Sequence, residues 1–373
     1  MVAALNAQAA ALVATAVPAN TRGVDASAWA RWTQFCALAD EDPSFALCAS
    51  DLPHAHELLV AFTLWVFQNM QPRRAGDHPS AASAAAVTAA VRRVLRREGI
   101  DIPPPPRLPA LLRALGTHTL NAHGPAATTP TRKLPLLISH LRRMRAVRVG
   151  SRVAGRALDW GAPFWRAVWA CFVLMFFAGL RKSDAVPSLG TAFARGRLSR
   201  GSISFRRLAD GTWVLLLVPP RGKADQLGQT WANDPIVLPL DDASDPLDAG
   251  YVLQAFVAAA PQPPGDPFDM PLFTYAPDAF LTGRDVDEAF SGLLAAACPE
   301  CAPADYSPHS FRIGAATSLQ AAGADLDTIR RTFRWAGEAT PLLYARTDLA
   351  AQCELVRGMR SSATAARPSP RCD

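Results

Sequence analysis

Lysine is close to absent from this chain. It occurs at Lys133, Lys182 and Lys223, against 35 arginines in 373 residues. Such a skew follows easily from the base composition of a genome, and it makes each lysine worth asking about individually. Long apolar runs are missing too. The longest covers residues 167–180 and is closed by Arg166 and Arg181; fourteen residues make a buried helix and fall short of a membrane span. The first twenty residues are apolar and alanine-rich but carry no positive n-region, so we expect a flexible tail over 1–23 in place of a secretory signal. No disulfide framework is present. The seven cysteines are an odd number, scattered at Cys36, Cys48, Cys171, Cys298, Cys301, Cys353 and Cys372, which suits a reducing compartment. The expected location is therefore intracellular: nucleoid or cytoplasm in a bacterium, nucleus in a eukaryote. Cys298-Pro-Glu-Cys301 is a CxxC without a second pair. A zinc site would need two more ligands, so we read two loop thiols and expect no metal and no cofactor.

What is present is a large apolar fraction and a localised charge. Half of the residues are hydrophobic and 19% are charged, which excludes wholesale disorder and is enough for two domains. The formal charge is +6. Residues 92–156 hold fourteen Arg or Lys against Glu98 and Asp101, a net of +12, leaving −6 on the remainder. A basic belt on an otherwise acidic chain points to a polyanion, nucleic acid first; a solvated helix face in an arginine-biased chain is the plainer alternative.

Residues 24–125 read as all-helical. Asp25 or Ser27 is placed to cap a helix carrying Trp29, Trp32, Phe35 and Cys36. A second helix spans 57–69 and presents Leu58, Leu59, Phe62, Trp65 and Val66. Pro79-Ser80 opens a third that runs to about Glu98. It ends in Arg92, Arg93, Arg96 and Arg97, whose i, i+1, i+4, i+5 spacing puts them on one side. A short fourth helix covers 107–115, and the aperiodic stretch 122–130 reads as a linker. A second domain, 131–360, begins with Arg132, Lys133 and a helix over 134–144 bearing Arg142 and Arg143. The apolar helix 165–177 follows. Strand character then appears at 203–205, 212–218 and 236–240, with Asp210-Gly211 as a hairpin turn. Helices return at 285–297, 308–322 (Ser307 as cap, Gly323 as stop), 325–333 and 341–346. An amphipathic segment at 348–359 precedes a disordered tail, 361–373. The expected fold is mainly α with a small antiparallel β-sheet: a helical domain followed by a mixed α+β domain.

Four stations carry chemistry: Ala178-Gly179-Leu180-Arg181-Lys182-Ser183-Asp184; Lys223, between two strands; His309-Ser310-Phe311-Arg312; and Trp335, with Tyr344 nine residues later. Each has an ordinary explanation. Arg181 suits a helix end, Lys223 a solvated turn, His309 and Arg312 an i, i+3 surface pair, and the two aromatics a core.

Taken in order, however, Gly-Leu-Arg-x-x-Asp, a hairpin Lys, His-x-x-Arg, Trp and Tyr resemble the catalytic set of the tyrosine recombinases, the phage-integrase-like family. The match is of Cre type, with Trp335 in place of the second His. The resemblance covers about 131–359, and the helical array before it is similar in architecture to that family's core-binding domain. It implies a two-domain clamp on double-stranded DNA that breaks and rejoins strands without metal. Tyr344 would be the nucleophile, conserving the bond energy as a 3′-phosphotyrosine. Arg181 and Arg312 would clamp the non-bridging oxygens. Lys223 would protonate the leaving 5′-oxygen, a task for which arginine is too weak an acid. His309 would shuttle a proton or bind a phosphate oxygen. Trp335 would position through its indole N–H, and Asp184 would orient Arg181. Arg92, Arg93, Arg96, Arg97, Arg132, Lys133, Arg142 and Arg143 would meet phosphates. Residues 348–359 would dock on a neighbouring protomer of a homotetramer. The chain departs from the family at Phe333-Arg334, where Leu-Gly or Gly-Gly is usual, and in the 42-residue interval from Arg181 to Lys223. A type IB topoisomerase-like enzyme and an inactive, domesticated DNA-binding protein are the alternatives.

Overall fold

In the computed structural model the described residues are 19–44, 51–71, 78–128, 132–187, 197–218, 234–261 and 265–335, with Leu5 and Phe193. The chain divides into two compact units, Met1–Thr131 and Arg132–Asp373.

The first unit is helical throughout its described residues: α1 (Ala19–Ala39), α2 (Leu52–Asn69), α3 (Ala81–Arg97), α4 (Leu108–His123) and the single turn α5 (Pro125–Thr128). Trp32, Phe35, Leu59, Phe62, Val91 and Leu95 fill its core. Several starts differ from the sequence expectation. Asp25 does not cap α1, which begins six residues earlier. It is 2% exposed and ion-paired instead. Asp51 starts α2 by accepting from His54 N–H at 3.2 Å, with Pro53 in the first turn. Helix α4 continues past 115 to Gly124, which closes it in a left-handed conformation. Gly116 lowers helix propensity without ending the helix.

The second unit comprises α6 (Ile138–Arg145), β1 (Arg152–Val153), β2 (Arg156–Ala157), α7 (Pro163–Phe177), α8 (Lys182–Ala185), β3 (Ile203–Arg207), β4 (Trp213–Leu217), β5 (Ile236–Pro239), α9 (Ala249–Ala259), β6 (Thr274–Ala276), β7 (Ala279–Phe280), α10 (Gly283–Ala297), α11 (His309–Ala321) and α12 (Leu326–Thr332). Strands β3, β4 and β5 form one antiparallel sheet in that order. The Asp210-Gly211 turn joins the first two, with Asp210 accepting from Thr212 N–H at 2.9 Å. Helix α7 is apolar all round and buried along nearly its whole length, as such a helix must be. No described helix is long and apolar enough to cross a membrane. The architecture is mainly α with small antiparallel sheets.

One sequence expectation fails instructively. Residues 134–137 are extended, and helix α6 starts only at Ile138. Pro135 biases Leu134 away from the helical region, and the segment's amides find partners elsewhere: Leu134 N–H on the Asp305 carbonyl (2.8 Å) and Leu136 N–H on the Ser310 carbonyl (3.0 Å). The crossing is so close that a methyl at Gly314 would overlap the Leu136 carbonyl. Ser307 likewise is not a side-chain cap. The first turn of α11 closes through the Ser310 N–H on the Ser307 carbonyl at 2.7 Å.

Candidate active site

The first station lies where α7 ends. The Gly179 N–H reaches the Phe176 carbonyl (3.1 Å) and the Leu180 N–H reaches the Met175 carbonyl (3.0 Å). Gly179 stands at φ +58°. This is a Schellman closure, with glycine in the left-handed position. It reverses the chain and delivers Arg181 at the start of α8. Asp184 then accepts the Arg181 amide at 3.2 Å and lies 3.8 Å from its guanidinium. Arg181 remains about one-third exposed, at 34%.

The third station, the first turn of α11, meets the first at Gly179. Arg312 is 3% exposed, and its Nη1 donates to the Gly179 carbonyl. Its guanidinium lies over the Trp335 ring, 4.7 Å from the centroid, in cation–π geometry. His309 precedes it by three residues and is partly buried. Burial first, then the positive charges of Arg312 and Arg181, push its pKa below the ordinary histidine value. The shift favours the neutral ring, the form that can accept a proton.

The fourth station closes the group from α12. The Arg334 N–H reaches the Arg331 carbonyl (3.1 Å) and the Trp335 N–H reaches the Arg330 carbonyl (2.9 Å), a second Schellman closure. Its left-handed residue is Arg334, at φ +54°, the position where the resembled family usually carries glycine. Arg334 is 8% exposed, with Nη2 4.0 Å from Asp234. Trp335 is 2% exposed and packs with Phe333, Ile329, Ala315 and Ala316. It thus supports Arg312 from beneath. Phe333 leans on Gly179 so closely that a methyl there would overlap the ring.

Arg181, Asp184, His309, Arg312 and Trp335 are therefore gathered around the end of α7. Lys223 and Tyr344 lie outside the described residues, as does the segment 348–359. The other two lysines are engaged: Lys182 Nζ with Asp287 at 2.6 Å and Lys133 Nζ with the Ala304 carbonyl. Sequence reasoning placed Gly179 in the first station and singled out Phe333-Arg334 as a departure, but gave neither Gly179 nor Phe333 a role. The Ala-Gly-Leu-Arg order was a signal for the first, since glycine commonly ends a helix this way; nothing local showed that Phe333 packs on Gly179.

The eight candidate phosphate contacts are placed unevenly. Arg92 donates twice to the Ile102 carbonyl (2.8 and 2.6 Å), and Arg96 pairs with Asp101 at 2.8 Å. Arg93 and Arg97 both close on the buried Asp25, at 2.7 and 2.6 Å. The four thus form two i, i+4 pairs with different partners. Arg143 is ion-paired with Glu300. Arg132 and Arg142 are exposed.

No family model matches the sequence, and no curated protein matches it. Among solved structures, the chain is similar to the Tn1549 transposon integrase in complex with circular intermediate DNA, at 12% identity over 82% of this chain and 86% of that one, with a TM-score of 0.45. The same integrase in complex with transposon right end DNA gives 14% identity, 83% and 85% coverage and a TM-score of 0.42. The XerA recombinase gives 12% identity, 93% and 100% coverage and 0.38.

Proposed function

We propose that this chain is a site-specific DNA recombinase that cleaves and rejoins duplex DNA one strand at a time through a 3′-phosphotyrosyl intermediate at Tyr344. One observation carries the reading. Arg312, from a helix about 130 residues downstream of Gly179, donates to the Gly179 carbonyl and stacks on Trp335, while its charge and that of Arg181 bear on His309. Three separate motifs thus come together with two cations and an imidazole whose pKa they lower.

Such a group suits in-line phosphoryl transfer. Negative charge on the non-bridging oxygens develops where Arg181 stands accessible and Arg312 stands preorganised, and fixed charge of this kind is commonly worth 10²–10³ in rate, roughly, per donor removed. Neutral His309 takes or returns the Tyr344 proton. Lys223 is assigned the leaving-group proton. The engagement of Lys133 and Lys182 with other partners supports that choice, because no arginine is acidic enough to replace it. Asp184 fixes the direction of Arg181. Phosphate contact is assigned first to exposed Arg132 and Arg142, then to Lys133, Arg143 and the α3 arginines, whose present partners exchange on binding. Residues 348–359 are assigned the protomer contact of a homotetramer assembled on DNA.

The test begins by selecting bound sites from a random duplex pool and building nicked suicide substrates from them. Wild-type chain is expected to give a covalent protein–DNA adduct, and Tyr344→Phe none. An adduct with Tyr344→Phe, or duplex binding by the wild type with no adduct, overturns the proposal; the latter result would identify an inactive binding protein. Plasmid relaxation at protein concentrations too low for assembly would instead identify the topoisomerase-like alternative.

A further inference from the structure

Three side chains of metal-ligating type converge in the second unit, none of them part of the site just described. His140 lies on α6, Cys298 ends α10, and Cys301 follows it in the loop leading to α11. Their ligand atoms all lie within 4.8 Å of one another. The sequence places His140 nearly 160 residues from the cysteines, so the CxxC looked incomplete; the fold supplies a third donor.

The surroundings keep this triangle together. The Cys301 N–H closes a turn on the Cys298 carbonyl at 2.9 Å, which holds both sulfurs on one short loop. Arg143, one helical turn after His140, pairs with Glu300 between the two cysteines and fastens that loop to α6. Tyr306 forms a wall: its hydroxyl is 3.7 Å from the Cys301 sulfur, and its ring meets His140 edge-on at 5.8 Å. Cys298 is fully buried, whereas His140 and Cys301 are partly exposed and give an ion a way in.

We propose that His140, Cys298 and Cys301 bind a zinc ion that staples the α10–α11 loop to α6. Two thiolates and an imidazole suit zinc, whereas magnesium and calcium prefer oxygen donors. Three protein ligands leave the fourth tetrahedral position to water. His140 Nδ1 accepts the Leu137 N–H at 3.0 Å, so a neutral ring in this geometry carries its proton on Nε2. Coordination through Nδ1 displaces that hydrogen bond, and coordination through Nε2 displaces it too, because the ring proton then moves to Nδ1; by either route the ring stays neutral and the two thiol protons are released. Cys301 lies eight residues before His309, so the staple would steady the first turn of α11. A Cys298–Cys301 disulfide is the competing state, and His140 would have no part in it.

The test uses full-length chain purified under reducing conditions and dialysed against metal-free buffer. The expected result is about one zinc per chain by mass spectrometry, with cobalt(II) substitution giving thiolate charge-transfer and tetrahedral ligand-field bands. Cys298→Ser/Cys301→Ser is expected to lose both signals, and His140→Ala to weaken metal binding by more than about tenfold with an unchanged circular dichroism spectrum. Should the double variant fail to fold, thermal unfolding keeps the question open to refutation. A chelator is expected to lower the wild-type midpoint and leave that of His140→Ala unmoved. A metal-free wild type without cobalt bands, metal retained by the double variant, equal chelator shifts, or a Cys298–Cys301 disulfide under these conditions overturns the proposal. Metal content does not depend on DNA chemistry, so Tyr344→Phe is expected to bind zinc normally.

Discussion

Two helix ends meet at the candidate active site, and they solve one geometric problem with different residues. Helices α7 and α12 both close by the same pair of hydrogen bonds around a left-handed residue. At α7 that residue is Gly179, at φ +58°; at α12 it is Arg334, at φ +54°. The backbone geometry is therefore the same although only glycine adopts it without strain, and the surroundings account for the choice. Gly179 lies under the Phe333 ring, where a β-carbon has no room. At Arg334 the side chain is accommodated in the interior, with Asp234 nearby. One end is constrained by space; the other tolerates roughly 1–2 kcal/mol of conformational strain while placing a cation beside Trp335.

The largest break in this comparison is Gly179→Ala. The methyl meets the Phe333 ring, and the left-handed backbone is strained as well. We expect a loss of about 3 kcal/mol, read by denaturant unfolding. DNA cleavage should fall further than stability does, because the Gly179 carbonyl also holds Arg312; unchanged stability would show that Phe333 moves freely. An intermediate effect concerns His309, whose ring feels the charges of Arg312 and Arg181. Its pKa is lowered in the fold, so below the ordinary value of 6.5 the unfolded chain binds a proton that the folded chain refuses. Stability should therefore fall as pH drops through that value toward the folded pKa. In His309→Gln this increment should be absent in parallel urea titrations. The smallest effect is expected for Arg334→Gly. Strain relief offsets lost packing and the greater freedom of the unfolded chain, giving a gain under about 1 kcal/mol. A clear destabilisation would show that Arg334 contributes more through its contacts than its backbone costs.

The sequence was most informative where the physics is local. The i, i+3 spacing of His309 and Arg312 put both on the first turn of one helix, Ser80 and Gly323 marked helix ends, and Asp210-Gly211 marked a hairpin. It was least informative where a partner lies far along the chain. Asp25 resembled a helix cap because its own neighbours suit that role; its actual partners, Arg93 and Arg97, are about 70 residues away. Helix α9 went unread because residues 249–259 are apolar on most sides, so periodicity could not separate a helix from a buried strand. The Trp335 indole was assigned to phosphate by resemblance, whereas its burial beneath Arg312 becomes visible only in three dimensions. His140 carried no mark at all.

The extended segment at residues 134–137 has a consequence for the timing of synthesis. Its amides bond to the Asp305 and Ser310 carbonyls, and it crosses α11 at Gly314. These contacts join the first residues of the second unit to residues made about 170 positions later, a long loop to close. A chain emerging from the ribosome can complete the helices of its first unit early. The second unit must wait, its opening segment unpaired, until α11 has left the exit tunnel. Arg181 is therefore made long before Arg312 arrives, and the site cannot assemble on a half-made chain.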